Sequence, residues 1–232
     1  MPQPSRPRLP IPDSAPLAVP CGFAAQLRAL HVHLDPRVLD VIGDYLGRLL
    51  AMNQQMNLTA IVDPQQAWEK HALDAMSLLP HLAALGAGAR LADVGSGGGV
   101  PGMILAAARP DLKITLIEAT QKKAAFLEGV AAALGLTQVT VRAARVETLH
   151  GGELGGSFDV VTARAVAKLV VLVPLLAPLV RPAGRMLLIK GRRADEELAA
   201  ARAAMAKHGT SHEATVQTPT GRIVVLRRSA RP

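Results

Sequence analysis

A chain of 232 residues, half of them hydrophobic, has the size of one α/β domain with a helical addition and enough apolar side chains for a large core. No apolar run approaches the roughly 20 residues that span a bilayer. The longest, 169–180, is broken by Pro174 and Pro178, and the start MPQPSRPRLP lacks the apolar stretch of a signal peptide. The single cysteine, Cys21, excludes an intramolecular disulfide and a cysteine-based metal cluster, so a cytoplasmic protein is expected. A formal charge of +8 suits a polyanion partner, and a solvated basic surface accounts for the charge equally well.

Residues 1–20 carry seven prolines without apolar periodicity and read as a disordered or extended leader. A helical region, 21–85, is expected next. It comprises a short amphipathic helix over 22–34 and a longer one from Pro36, capped by Asp35, to Asn53. The longer helix carries Val38, Leu39, Ile42, Leu46, Leu49 and Leu50 on one face. Asp63-Pro64 repeats the cap signal and opens a helix through Trp68, Leu73 and Met76 to about Leu79.

From residue 86 to 232 the pattern changes. Strand-length runs (91–94, 113–118, 138–144, 158–164, 185–190) alternate with helical stretches (101–109, 120–134, 168–180, 194–207), which implies parallel pairing with right-handed crossovers. The last two runs, ATVQT and RIVVLRR, are joined by a short turn and must be antiparallel. The expected fold is a Rossmann-like α/β sheet, mostly parallel, closed by a C-terminal antiparallel hairpin and preceded by helices. The helices and the sheet are expected to form one compact unit.

The first strand runs into Asp93-Val94-Gly95-Ser96-Gly97-Gly98-Gly99-Val100-Pro101-Gly102. Glycines after a buried strand admit positive φ and let a ligand touch the backbone at the sheet's switch point. Two cofactor classes use such a loop. Gly97-x-Gly99-x-x-Gly102 fits a dinucleotide fingerprint. Asp93-x-Gly95-x-Gly97-x-Gly99 fits the acidic strand-end pattern of class I methyltransferases. Asp93 favours the second, because its carboxylate faces the positive amino-acid end of S-adenosylmethionine and repels a pyrophosphate. Glu118, 19 residues after Gly99, stands at the neighbouring strand tip, where a carboxylate accepts both ribose hydroxyls. It also neighbours Thr120, a candidate cap for the next helix. After the third strand, Val146 is placed to pack on the adenine.

Fourth-strand chemistry narrows the methyl acceptor. The Asn/Asp-Pro-Pro-aromatic box of exocyclic amino methylation is absent, since the strand ends Thr162-Ala163-Arg164-Ala165. Methylation at pyrimidine C5 needs a cysteine, and Cys21 lies in the leader. No carboxylate cluster suggests a metal. Guanine N7, a lone pair without a proton, fits an enzyme that positions rather than deprotonates. Arg164 at the strand tip is expected to orient cofactor or target. Of the basic residues at strand ends and loops, Lys122, Arg145, Lys168 and Lys190 are the candidates for RNA phosphates. His71 and Asp74, one helical turn apart, are too few for a metal site and suggest a structural hydrogen bond or domain contact.

Together these motifs resemble the bacterial ribosomal RNA small subunit methyltransferase G family, also called glucose-inhibited division protein B. The resemblance covers about 35–193. It rests on Asn57-Leu58-Thr59-Ala60-Ile61, His71-Ala72-Leu73-Asp74-Ala75-Met76, the glycine loop, Arg145-Val146-Glu147, Thr162-Ala163-Arg164-Ala165 and Ile189-Lys190-Gly191. Ala72 and Ala75 depart from the family pattern, away from the expected chemistry. The resemblance implies S-adenosylmethionine as cofactor and N7 methylation of a guanine in the 530 loop of 16S rRNA, in rRNA or a small-subunit precursor, by a monomer without membrane attachment. It implies cofactor contacts by Gly95, Val100, Val146, Glu147 and Arg164, beside Asp93, Gly97 and Glu118 from the residues themselves. Asn57 and Lys190 are its target-side candidates, although Asn57 also reads as an ordinary helix C-terminal turn.

Overall fold

The computed structural model describes residues 9–230. Helices α1 (Phe23–Ala29), α2 (Pro36–Met56), α3 (Pro64–Ala67), α4 (Asp74–Met76) and α5 (Leu79–Leu82) precede the sheet, with a π-helical segment, Trp68–Leu73, between α3 and α4. The strands are β1 (Arg90–Val94), β2 (Lys113–Ile117), β3 (Val139–Arg142), β4 (Phe158–Arg164), β5 (Val180–Lys190), β6 (Thr210–Gln217) and β7 (Arg222–Arg228). Between them lie α6 (Gly102–Ala108), α7 (Gln121–Ala133), α8 (Leu169–Leu176), α9 (Ala194–Ala200) and α10 (Arg202–Lys207).

The seven strands form one sheet in the order β3-β2-β1-β4-β5-β7-β6. β1 to β5 pair in parallel, and β7 lies antiparallel between β5 and β6. This is the mostly parallel sheet with a closing hairpin that the alternation of elements predicts. The strand order reverses between β1 and β4, so the tips of β1, β2 and β4 open a crevice there.

Period-two alternation splits the core into two layers. Leu91, Val160, Leu187, Ile223 and Val225 face α1 to α7, while Ala92, Val161, Leu188, Val224 and Leu226 face α8 to α10. The first layer is continuous from Phe23 through Tyr45 and Trp68 to Val225, so the N-terminal helices share a core with the sheet. α2 forms as its pattern dictates. The Asp35 carboxylate accepts from the Arg37 N–H, Pro36 opens the first turn, and Ile42, Leu46 and Leu49 are fully buried.

Several boundaries differ from expectation, each for a local reason. The described part of the leader, residues 9–20, forms no helix or strand and is seated on the N-terminal helices, the extended alternative of its reading. Leu17 donates its N–H to Gly43 O at 2.9 Å, and Ile11 and Leu17 pack on the core. The chain passes so close to α2 that a Cβ on Gly43 or Gly47 would lie 2.5 Å from Leu17 O or Ala15 O. Residues 1–8 of the expected leader lie outside the described residues. Helix α1 ends well before residue 34, because His31 turns to φ 57°. β3 stops at Arg142, short of residue 144. β5 begins at Val180, not Arg185. Val180 pairs with Phe158, Pro182 sits in an irregular stretch, and the register resumes at Arg185 against Val160. The expected helix 194–207 is two helices broken at Ala201.

Candidate active site

β1 delivers Asp93 and Val94 to the crevice, and the glycine loop is tied down at once: Gly95 and Ser96 donate their N–H groups to Ile117 O of β2, at 2.9 and 3.2 Å. Gly95 has φ 71°, and a Cβ there would lie 2.6 Å from Cγ2 of Val166 in the loop after β4. Asp93 is buried beneath the loop. Its Oδ2 accepts the Gly102 N–H at the start of α6 at 3.1 Å, and its Oδ1 is buried without a partner. Burial pushes the Asp93 carboxyl up to about 6. The Ser96 hydroxyl, then the Gly102 N–H and the Arg164 charge, oppose the rise, and the Glu118 charge adds to it. Glu118 follows β2 and is 8% exposed. It accepts the Gly97 N–H (2.9 Å) on Oε2 and the Thr120 N–H (2.7 Å) on Oε1, so it braces the loop and starts α7.

Two cavities meet at Gly95. One, of about 190 Å³, is lined by Glu118, Ala144, Val146, Glu147 and Val166 among others. The second, of about 200 Å³, lies between the glycine loop and the N-terminal helices, with Thr59, His71, Gly97, Val100 and Arg164 in its wall. Each is smaller than the roughly 300 Å³ at which small-molecule sites begin, and Gly95 lines both.

The helical region builds the second cavity. The buried Tyr45 hydroxyl donates to Gly98 O at 2.8 Å, and burial pushes its phenol well above the usual range. Arg164 donates from Nη1 to Lys70 O (2.9 Å) and from Nη2 to His71 Nδ1 (3.1 Å), and pairs with Asp74 Oδ2 at 3.5 Å. The Thr220 hydroxyl, from the β6–β7 turn, donates to the other Asp74 oxygen. Burial raises the Asp74 pKa, while Thr220 and Arg164 counter it. His71 Nε2 meets Thr59 Oγ1 at 2.9 Å. Burial, then the Arg164 charge, pushes the imidazole down to about 4 while a backbone contact at Lys70 opposes the fall, so the ring is neutral at pH 7.

The family model for rRNA small subunit methyltransferase G matches residues 39–225. The chain belongs to that family. The ribosomal RNA small subunit methyltransferase G of Sorangium cellulosum is 60% identical over 99% of this chain and 96% of that protein. The protein of the same name from Burkholderia pseudomallei (strain 668) is 43% identical over 83% of each. Among solved structures, the antibiotic-resistance methyltransferase Kmr superposes with a TM-score of 0.52 at 21% identity, over 66% of this chain and 93% of Kmr. An S-adenosylmethionine-dependent methyltransferase fold from Methanococcus maripaludis gives 0.53 at 12% identity, over 83% of this chain and 94% of that one. These structures show the methyltransferase fold.

In this methyltransferase, Asp93, Gly95, Gly97 and Glu118 come together as the residue pattern predicts, with Val146 buried and Glu147 exposed at the rim. Lys190 does not reach toward a target. Its side chain is only 8% exposed, and its Nζ donates to Ala167 O (2.7 Å) and pairs with Glu197 (2.7 Å), whose carboxylate also accepts the Leu169 N–H. Lys190 therefore holds the loop after β4. Asn57 caps α2 in the left-handed region (φ 49°, ψ 56°), the turn reading, with its residue exposed. Lys122, Arg145 and Lys168 are exposed, and Arg145 lies in the wall of the first cavity. His71 and Asp74 make the structural contact expected of them, and among the described residues no group of three or more His, Cys, Asp or Glu is placed to hold a metal. Cys21 is exposed in the turn before α1, not in an unstructured leader. Tyr45, Thr220 and Glu197 were not foreseen. Tyr45 had one signal: it shares the buried face of α2 with Ile42, Leu46 and Leu49.

Proposed function

We propose that the chain transfers the methyl group of S-adenosylmethionine to N7 of a guanine in the 530 loop of 16S rRNA, in free rRNA or a small-subunit precursor. The observation that carries the acceptor is the state of His71. It is the ionisable base in the wall of the second cavity, it is held neutral, and both its ring nitrogens are engaged, by Arg164 and by Thr59. A second cavity whose histidine has both ring nitrogens engaged suits an acceptor that has no proton to lose, which guanine N7 is.

The residues present fit the cofactor. The Asp93 carboxylate, ionised for the most part above pH 6, keeps negative charge beneath the loop, and its unpartnered Oδ1 asks for a donor. That charge suits a ligand with a cationic amino-acid end. Each Glu118 oxygen has a lone pair left after Gly97 and Thr120, enough for two ribose hydroxyls. Val146 offers an apolar surface for adenine, Gly95 leaves the backbone open, and Arg164 lines the second cavity. S-adenosylmethionine supplies a methyl group on a cationic sulfur. The protein's part is to hold donor and acceptor in line and keep water out.

Lys122, Arg145 and Lys168 suit RNA phosphates, and Asn57 is the exposed target-side candidate. We take the protein to act as a cytoplasmic monomer, with residues 21–85 and 86–232 working as one unit. Among the described residues no helix is long and apolar enough to cross a membrane. The test is mass mapping of rRNA from cells lacking the gene. Loss of one 7-methylguanosine from the 530 loop supports the proposal, and an unchanged map overturns it.

A further inference from the structure

The second cavity contains a hydrogen-bond chain with a fixed direction. Arginine has donors and no acceptor. Arg164 Nη2 points at His71 Nδ1 at 3.1 Å, so Nδ1 must present its lone pair. With the ring neutral, its one proton is on Nε2, which donates to Thr59 Oγ1 at 2.9 Å. The Ile61 N–H donates to the same oxygen at 3.0 Å. A hydroxyl oxygen has two lone pairs, and both are then used. The Thr59 hydroxyl proton has no acceptor among the described residues, and Thr59 is part of the cavity wall. Its backbone is pinned as well, since the Thr59 N–H donates to Asn53 Oδ1 at 2.8 Å. The hydroxyl is thus a donor with one direction left.

The acceptor it suits is anionic. Arg164 lines the same cavity, and Gly95 lines both this cavity and the one that holds Glu118. A ligand bound through its ribose at Glu118 and extended past Gly95 brings its amino-acid end here. We propose that Thr59 is a positioning residue whose hydroxyl, aimed by the relay from Arg164 through His71, donates a hydrogen bond to the carboxylate of the cofactor's amino-acid end. The proposal rests on the cofactor reading above.

The experiment compares S-adenosylhomocysteine with its decarboxylated analogue by calorimetry, on the full chain and on Thr59→Val and Thr59→Ser. Thr59→Val should bind S-adenosylhomocysteine about tenfold or more weakly and the decarboxylated analogue as the parent does. Thr59→Ser, which keeps the donor, should bind both as the parent does. Equal weakening for both ligands in Thr59→Val would mean that the hydroxyl only supports the wall, and overturns the proposal. So does unchanged S-adenosylhomocysteine affinity with a raised KM for RNA, which would assign the acceptor to the target base. A parent chain that binds neither ligand overturns the cofactor reading itself. Nitrogen-15 shifts of His71 in the parent chain give a check independent of any variant: a proton on Nε2 is expected, and a proton on Nδ1 refutes the relay.

Discussion

The two cavities that meet at Gly95 are built by opposite rules. The Glu118 cavity is made of strand tips and the turns that follow them, so each residue's place is set by which strand it ends. The Thr59 cavity is made where α2 and the π-helical segment press on the glycine loop, and its polar groups meet across distances of up to 93 residues in the chain. The first is a property of the sheet, and the second exists only when two halves of the chain are packed together. Binding the common part of a cofactor needs only local order, while control over its other end is left to tertiary contacts.

The strongest way to break this comparison is to damage both cavities at their shared point. Gly95→Asp places a side chain where Val166 already sits, at a positive φ, and should abolish S-adenosylhomocysteine binding by calorimetry, a loss above about a hundredfold. Normal binding by that variant would remove the loop from the site. Arg164→Met should dismantle the Thr59 cavity alone. It strips Asp74 of its charged partner and His71 of its donor, and should lower stability to urea by about 2–3 kcal/mol. An unchanged urea midpoint would show that the relay does not hold the halves together. Glu118→Gln tests the other side: adenosine and S-adenosylhomocysteine should both bind about tenfold more weakly, because the ribose contact is common to them. Tyr45→Phe leaves Gly98 O without its donor and should cost about 1 kcal/mol in unfolding experiments.

The finest distinction is in pH. The raised Asp93 pKa means that the folded state holds its proton more tightly, so this contribution is complete below about pH 4 and is lost as pH rises to about 6. His71 runs the other way. With its pKa pushed down to about 4 from 6.5, its contribution is complete above pH 6.5 and is lost as pH falls to about 4. His71→Gln should therefore leave a stability that declines from pH 4 to 6.5 more steeply than the parent's, measured by urea titration at each pH. Parallel curves would show that His71 is not a buried neutral ring.

The same division decides what could be read without a structure. The sheet order, the closing hairpin, the glycine loop and Glu118 follow from periodicity and spacing, because each is specified within one strand and the turn after it. The relay through Arg164, His71 and Thr59 was not legible, although all three residues stood in recognised motifs, because no local pattern says that β4 ends against the π-helical segment. The pairing of Lys190 is hidden from the sequence for a related reason. A lysine at a strand end looks solvated, and only the return of α9 brings Glu197 back over it. Asn57 was the milder case, since asparagine after a helix already signals a left-handed cap.

The extended leader carries a consequence for how the chain is made. Ile11 rests on Gly129 of α7, where a Cβ would lie 2.7 Å from its Cδ1, so Ile11 is synthesised well before the seat it rests on. At about 5–20 residues per second, that seat leaves the ribosome on the order of ten seconds after Ile11 does. A protease site placed among residues 12–16 should therefore be cut in nascent chains that stop before α7 and protected in those that extend beyond it. The leader would then report the moment at which the first half of the sheet closes.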